Sequence, residues 1–98
     1  MTQTPQVEDN RAEHRFELDV DGQRSIAAYE IDGDVITFTH TLVPESLQGR
    51  GIGSQLVAAG LAAARSHRQA VVPRCEMFAA YMKKHPETQD LLATGVEL

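Results

Sequence analysis

The stretch LQGRGIGS, residues 47–54, contains the residues of this chain best suited to bind an anion. Gly49, Gly51 and Gly53 stand at alternate positions, and small residues at helical spacing follow them. Glycine lets the main chain approach a ligand without an intervening Cβ atom. The first N–H groups of a helix have no partner within it, and the helix dipole adds positive charge there. A strand, a glycine turn and a helix in this order predict a phosphate site, where Arg50 would add charge.

Two familiar phosphate-binding motifs fit this stretch poorly. A Walker A loop requires Lys and then Ser or Thr after its last glycine, whereas Ser54 and Gln55 follow Gly53. A dinucleotide-binding fingerprint requires a third glycine at the position of Leu56, early in a parallel βαβ array. The sequence therefore favours a phosphate loop of another kind.

Three side chains outside the loop can take part in chemistry: Cys75, His40 and Tyr81. Cys75 is the single cysteine of the chain, which excludes an internal disulfide and favours a reducing compartment. It stands where a helix is predicted to begin, a position that favours the thiolate, although most free cysteines are simply buried. His40 alternates with Phe38 and Leu42 on one predicted strand face, so a buried core histidine is the simpler interpretation. Tyr81 is likewise compatible with a core position.

The elements that position these residues follow from periodicity. Apolar and acidic residues alternate over 16–20, and Asp-Gly pairs at 21–22 and 32–33 are strong signals for tight hairpins. Helical spacing then runs over 52–67 and again over 75–85, with a short β-rich run between them. We predict antiparallel strands at 14–20, 24–31 and 34–42, followed by a helix, a fourth strand and a second helix.

This order predicts an α/β (α+β) fold with a three-stranded meander followed by β-α-β-α. The crossover makes strands three and four parallel. We expect one domain over residues 13–93, with a disordered tail at 1–12 and a short tail at 94–98.

Charge and composition exclude some classes of partner. The formal net charge is −5, which argues against a general nucleic-acid binder. The polar, acidic start is unlike a signal peptide, and the longest apolar run, 56–64, is too short to span a bilayer. We therefore expect a cytoplasmic protein without nucleic-acid or membrane partners and without a metal.

A set of spaced residues resembles the GNAT (N-acetyltransferase) superfamily. The pattern Gln48-x-x-Gly51-x-Gly53, placed between a β-meander and a helix, resembles its acetyl-CoA-binding motif. A small, single-domain branch of that superfamily is similar over residues 14–92. The residues that carry this closer similarity are His40-Thr41, Val43, LQGRGIGSQLV, Pro73-x-Cys75, Tyr81 and His85-Pro86.

The resemblance implies a minimal GNAT fold in which strands three and four are splayed and acetyl-CoA lies in the gap. Leu42 and Val43 would then offer main-chain groups to the acetyl carbonyl and the pantetheine arm. The pyrophosphate would be bound by Gln48, Gly49, Arg50, Gly51, Ile52, Gly53 and Ser54. The position of Leu42 is often acidic in this branch, so the general base is left open.

The implied reaction is acetyl transfer to an amine, by direct attack in a ternary complex. His40 or a water would act as base, Tyr81 would protonate the departing thiolate, and Cys75 would be either a nucleophile or a wall of the site. The acceptor side is expected to be open, which favours a protein lysine or N-terminus, in a monomer or homodimer. The alternatives are a non-catalytic acyl-CoA-binding or sensing module and, third, a structural partner protein.

Overall fold

The computed structural model describes residues 6–98, which form one five-stranded mixed sheet with two helices on one face. The strands are β1 (Glu8–Asn10), β2 (Arg15–Val20), β3 (Gln23–Asp32), β4 (Val35–Leu42) and β5 (Ala70–Pro73), and they lie in this order across the sheet. The helices are α1 (Ile52–Ser66) and α2 (Glu76–Lys84), with 3₁₀ turns at Glu45–Leu47 and Pro86–Leu91. The α/β class is as the sequence predicts, with one strand more than expected.

The additional strand is β1, which pairs antiparallel with β2. Residues 8–10 were expected in a disordered tail; the part of that tail at residues 1–5 lies outside the described residues. Val7 packs against the core, and the hydroxyl of Tyr29 donates to Asp9 Oδ1 at 2.6 Å. Burial, together with this hydrogen bond, raises the pKa of Tyr29 to about 12. Side-chain contacts from β3 therefore hold a segment that has no strand pattern of its own.

Two tight hairpins build the meander of β2, β3 and β4. Asp21 and Gly22 both adopt positive φ between the paired residues Val20 and Gln23, as a type I′ turn requires. The second turn is centred one residue later than predicted, on 33–34, with positive φ at Gly33 only. That conformation is typical of a type II′ turn, which has glycine at its first central position.

A β-bulge interrupts β4. Phe38 pairs with Tyr29 and His40 pairs with Ala28, so Thr39 is an extra residue on the β4 side. An inserted residue reverses the faces that the following side chains occupy.

The bulge moves two predicted site residues to the opposite face of the sheet. Phe38 is buried, whereas His40 is exposed and Leu42 is 60% exposed. Thr41 instead lies on the helix side, opposite the fully buried Ala27. The prediction that His40 and Leu42 share a face with Phe38 is therefore wrong, and so is the interpretation of His40 as a core histidine.

The core lies between the sheet and the helices, around Phe38. A Cβ atom on Gly60 of α1 would lie 3.0 Å from the Phe38 ring, and Phe78 of α2 stacks on that ring at a centroid distance of 3.9 Å. Because one side chain contacts both helices, the helices lie on the same face. In the part of the chain that the structure describes, no helix has the length and apolar character needed to cross a bilayer.

β5 pairs parallel with β4, as the crossover predicts, but only along the first half of β4. The ladder runs from Val35 with Ala70 to Phe38 with Pro73, and the N–H of Cys75 then donates to the carbonyl of Phe38 at 2.9 Å. β5 leads directly into α2. The gap beside the second half of β4 is therefore bordered by the first turn of α2, and not by a splayed strand.

Candidate active site

The glycine loop connects β4 to α1 through two residues with positive φ. Gly49 has φ +84° and Gly51, the N-cap of α1, has φ +76°. L-residues with side chains rarely adopt this conformation. Leu47, which is buried, anchors the loop, and Gln48 Nε2 donates to the carbonyl of Val43 at 3.3 Å. These contacts fold the loop back over the end of β4.

The loop presents a row of unpaired main-chain donors. The N–H of Gln48 donates to Glu45, and that of Gln55 donates to Gly51. Between them, the six N–H groups from Gly49 to Ser54 have no acceptor among residues 6–98. Successive N–H groups at a helix N-terminus form a binding site for an anion such as phosphate.

Gly53 is glycine for a different reason. It lies in the first turn of α1, where a Cβ atom would be 2.6 Å from Sδ and 3.1 Å from Cε of Met77. Since real Cβ contacts are longer than this, only glycine leaves room for Met77 as it stands. Two loop glycines are thus explained by backbone conformation, whereas at the third the flexible end of the Met77 side chain occupies the space of a Cβ atom.

The free N–H groups border a cleft of about 570 Å³ between the end of β4 and the start of α1. Its lining consists of Thr41, Leu42, Val43, Leu47, Gln48, Gly49, Gly51, Ile52, Gly53, Ser54 and Met77. All predicted cofactor-binding residues except Arg50 are therefore brought together. Because the family resemblance implies that the cofactor binds here, we call this space the cofactor cleft.

Arg50 points elsewhere. Its guanidinium lies 2.8 Å from the carboxylate of Asp21 in the β2–β3 turn, and both side chains are more than half exposed. Exposed ion pairs of this kind contribute little to stability. The guanidinium expected beside the pyrophosphate is thus paired with Asp21, and Arg50 does not line the cleft.

Cys75 is the N-cap of α2 and is only 7% exposed. Its Sγ lies 3.4 Å from Thr41 Oγ1, the residue that the bulge turns toward the helices. Thr41 Oγ1 also approaches Met77 Sδ at 3.5 Å. Thr41, Cys75 and Met77 therefore form a small cluster, and its members Thr41 and Met77 line the cofactor cleft.

A second, more open depression of about 610 Å³ lies on the far side of this cluster, and we call it the trough. Its lining consists of Thr39, His40, Thr41, Arg74, Cys75, Glu76, Met77 and Ala80. His40 thus lies in the trough with Cys75 and outside the cofactor cleft. Its Nδ1 is 3.4 Å from Thr39 Oγ1.

Tyr81 lies apart from both spaces. Its ring stacks on His85 at a centroid distance of 4.1 Å, and it borders a groove of about 230 Å³ between α1 and α2. Among the residues described here, Tyr81 lines neither the cofactor cleft nor the trough. The structure therefore does not bring Tyr81 together with Cys75 and His40.

The sequence interpretation missed Met77, which lines the cleft, the trough and the groove. A methionine two residues after Cys75 gives no chemical signal, and its contact with Gly53 depends on how α1 and α2 pack. Over residues 6–98, no three His, Cys, Asp or Glu side chains are placed to hold a metal ion.

Comparison with known protein families gives one match. A family model described as GCN5-related N-acetyl-transferase matches residues 15–91, more than three quarters of the chain. The matched region begins with β2 and ends with the second 3₁₀ turn, so it contains the cofactor cleft, the trough and both helices.

Proposed function

The chain belongs to the GCN5-related N-acetyltransferase family, and on this premise we propose that it transfers the acetyl group of acetyl-CoA to an amine. Members of the family are acetyltransferases that typically use acetyl-CoA. The observation that carries the proposal here is the row of six unpaired N–H groups, Gly49 to Ser54, at the border of the cofactor cleft.

The pyrophosphate of the cofactor fits these N–H groups. Its negatively charged oxygens would accept several charge-assisted hydrogen bonds from the N–H groups at the positive end of α1. The absence of side chains at Gly49 and Gly51 lets the phosphates reach the main chain. We assign this binding to the main chain and not to the Arg50 guanidinium, because Arg50 is paired with Asp21 outside the cleft.

The acetyl carbonyl would lie against the main chain of Leu42 and Val43, at the inner end of the cleft. Beyond Phe38, this edge of β4 has no ladder partner among the described strands. A main-chain N–H at this edge can stabilise the oxyanion that forms when the amine nitrogen attacks the carbonyl carbon. Collapse of that intermediate breaks the carbon–sulfur bond and releases the thiolate of CoA.

Direct attack agrees better with the surroundings of Cys75 than an acyl-enzyme does. A nucleophilic thiol is activated by a neighbouring base or by a helix N-terminus. Cys75 has the second as the N-cap of α2, but its Sγ is nearly buried, where a thioester has little access, and it contacts the hydroxyl of Thr41 and not a base. His40 is exposed in the trough, where it would accept the proton of the incoming ammonium, directly or through a water. We assign no role to Tyr81, because it lines neither space.

The acceptor would approach from the trough, which is open and has a largely apolar floor with Arg74, Glu76 and His40 among its lining residues. Such a surface suits an amine on a large molecule, a protein lysine or N-terminus, better than an enclosed small molecule. Arg74 and Glu76 on its rim form no ion pair among residues 6–98, so they are free to contact charged groups around the amine.

The experiment that tests this proposal combines binding with turnover. Addition of CoA to ¹⁵N-labelled protein should shift the amide signals of 49–54 more than those of the β3–β4 turn. Acetyl-CoA with a panel of peptides carrying lysines or free N-termini should release CoA thiol in proportion to acetylated peptide. Shifts without turnover on any amine would favour a sensing module, and unchanged signals at 49–54 would refute both functions.

A further inference from the structure

Met77 stands where three depressions of the surface meet. It lines the cofactor cleft, the trough and the groove between the helices. The cleft and the trough share only Met77 and Thr41. The two spaces therefore adjoin each other at these two side chains.

The contacts of Met77 show how it separates the spaces. On one side its Sδ is 3.5 Å from Thr41 Oγ1 of β4. On the other side it fills the place of the missing Cβ of Gly53 in α1. The side chain thus bridges the opening between β4 and α1 and forms the inner wall of the cofactor cleft.

This wall is movable. Met77 is 40% exposed, although it is an apolar residue at the centre of the site. Methionine is unbranched and has three rotatable bonds, so it changes shape at low energetic cost. By contrast, Phe78 and Met82 of the same helix are fully buried and fixed by the core.

We propose that Met77 determines the length of acyl group that the site accepts. This inference rests on the proposed function, in which the thioester carbonyl lies beside Leu42 and Val43. An acetyl group ends at the wall, whereas each further methylene must push Met77 aside or turn back into the cleft. A closed pocket discriminates by roughly 10- to 200-fold per methylene, and a movable wall gives a value near the low end of that range.

The test compares Met77→Ala with Met77→Leu, using acetyl-, propionyl- and butyryl-CoA. The alanine variant removes the wall and joins the cleft to the trough, so the ratio of propionyl-CoA to acetyl-CoA binding should rise about 10-fold and that of butyryl-CoA, with two further methylenes, about 100-fold, measured by titration calorimetry. The leucine variant keeps a similar apolar volume and should retain the wild-type ratio to within about threefold. Acyl transfer to the peptide panel should follow the same ratios.

A second readout does not depend on acyl-CoA. Cys75 lines the trough behind Met77, so iodoacetamide should alkylate it faster in Met77→Ala than in Met77→Leu or wild type. Equal butyryl-to-acetyl ratios in wild type and Met77→Ala, with CoA still bound, would overturn this inference alone. Failure of the wild-type protein to bind any acyl-CoA would overturn the proposed function and this inference with it.

Discussion

Substitution of Gly51 by alanine separates the two roles of the loop main chain, conformation and ligand binding. Gly51 has φ +76°, and a Cβ atom there would meet no heavy atom within 4 Å. The cost in stability is therefore one of backbone conformation, about 1–2 kcal/mol for an L-residue in the left-handed region. For a domain of this size, each kcal/mol lowers the melting temperature by roughly 4–8 °C. We expect the melting temperature of Gly51→Ala to fall by about 4–16 °C.

The effect on the cofactor should be additional. Relaxation of φ at Gly51 turns its N–H, and those beside it, away from the anion. Loss of one charge-assisted hydrogen bond costs about 1.5–3 kcal/mol, which corresponds to roughly a 10- to 100-fold rise in the Kd for CoA. At a CoA concentration of 100 times the wild-type Kd, the free energy of unfolding of the wild type should rise by about 2.7 kcal/mol. At the same CoA concentration, that of Gly51→Ala should rise much less.

Gly33→Ala is the matched control. Gly33 also has positive φ and open space around its Cβ position, but it lies in the β3–β4 turn, at the end of β4 far from the loop. Melting scans should show comparable losses of stability in the two variants, and titration calorimetry should show weakened CoA binding in Gly51→Ala alone. If both variants bind CoA as the wild type does, the loop amides do not hold the phosphates and the reasoning fails.

Three further predictions follow from side-chain contacts. Cys75→Ala should release CoA at a rate within about fivefold of wild type if attack is direct, whereas loss of a covalent nucleophile would lower the rate by roughly 10³-fold or more. Arg50→Ala removes only the rim pair with Asp21, so calorimetry should give a Kd for CoA within about threefold of wild type, and a tenfold rise would place Arg50 on the phosphates. The hydrogen bond from Arg15 holds the pKa of Glu17 below its ordinary value of 4.5. The ionised Glu17 carboxylate therefore stabilises the folded protein above pH 4.5, and this contribution is lost as the pH falls through the folded-state pKa. Urea titrations from pH 7 to 3 should show a flatter acid dependence in Glu17→Gln, and an unchanged slope would contradict this assignment.

The elements that the sequence predicts well are those whose pattern is local. Period-two alternation over 16–20, the Asp-Gly turns and the helical spacing after Gly51 each depend on residues close in sequence. The structure places β2, β3, β4, α1 and α2 within one residue of the predicted bounds, and β5 lies in the short β-rich run between the helices. The glycine loop is also predicted well, because its glycine spacing and its backbone conformation both depend on residues close in sequence.

The strand β1 shows where local pattern fails. Residues 8–10, Glu-Asp-Asn, are polar and have low β-propensity. They form a strand because β2 offers a free edge and because the hydroxyl of Tyr29 holds Asp9, twenty residues earlier in the chain. Neither contact can be read from the segment itself.

Met77 shows the same limit inside the site. Its importance comes from the distance between α1 and α2, which the glycines at 53 and 60 permit together. Helix proximity of this kind is a property of packing and not of any single stretch of sequence. A methionine, unlike a cysteine or histidine, gives no chemical reason to look for it.

The bulge at Thr39 decides what chemistry the site can perform. Without the extra residue, strict alternation would place His40 on the helix side, near Cys75, and a thiol beside an imidazole is one arrangement that activates a cysteine for an acyl-enzyme. With it, Thr41 takes that place and its hydroxyl faces Sγ at 3.4 Å. The imidazole is moved into the open trough, where it can reach an incoming amine but does not activate the thiol. One inserted residue thus places the imidazole in the open trough and a hydroxyl beside the nearly buried thiol, an arrangement that is consistent with the proposed attack by the acceptor amine itself.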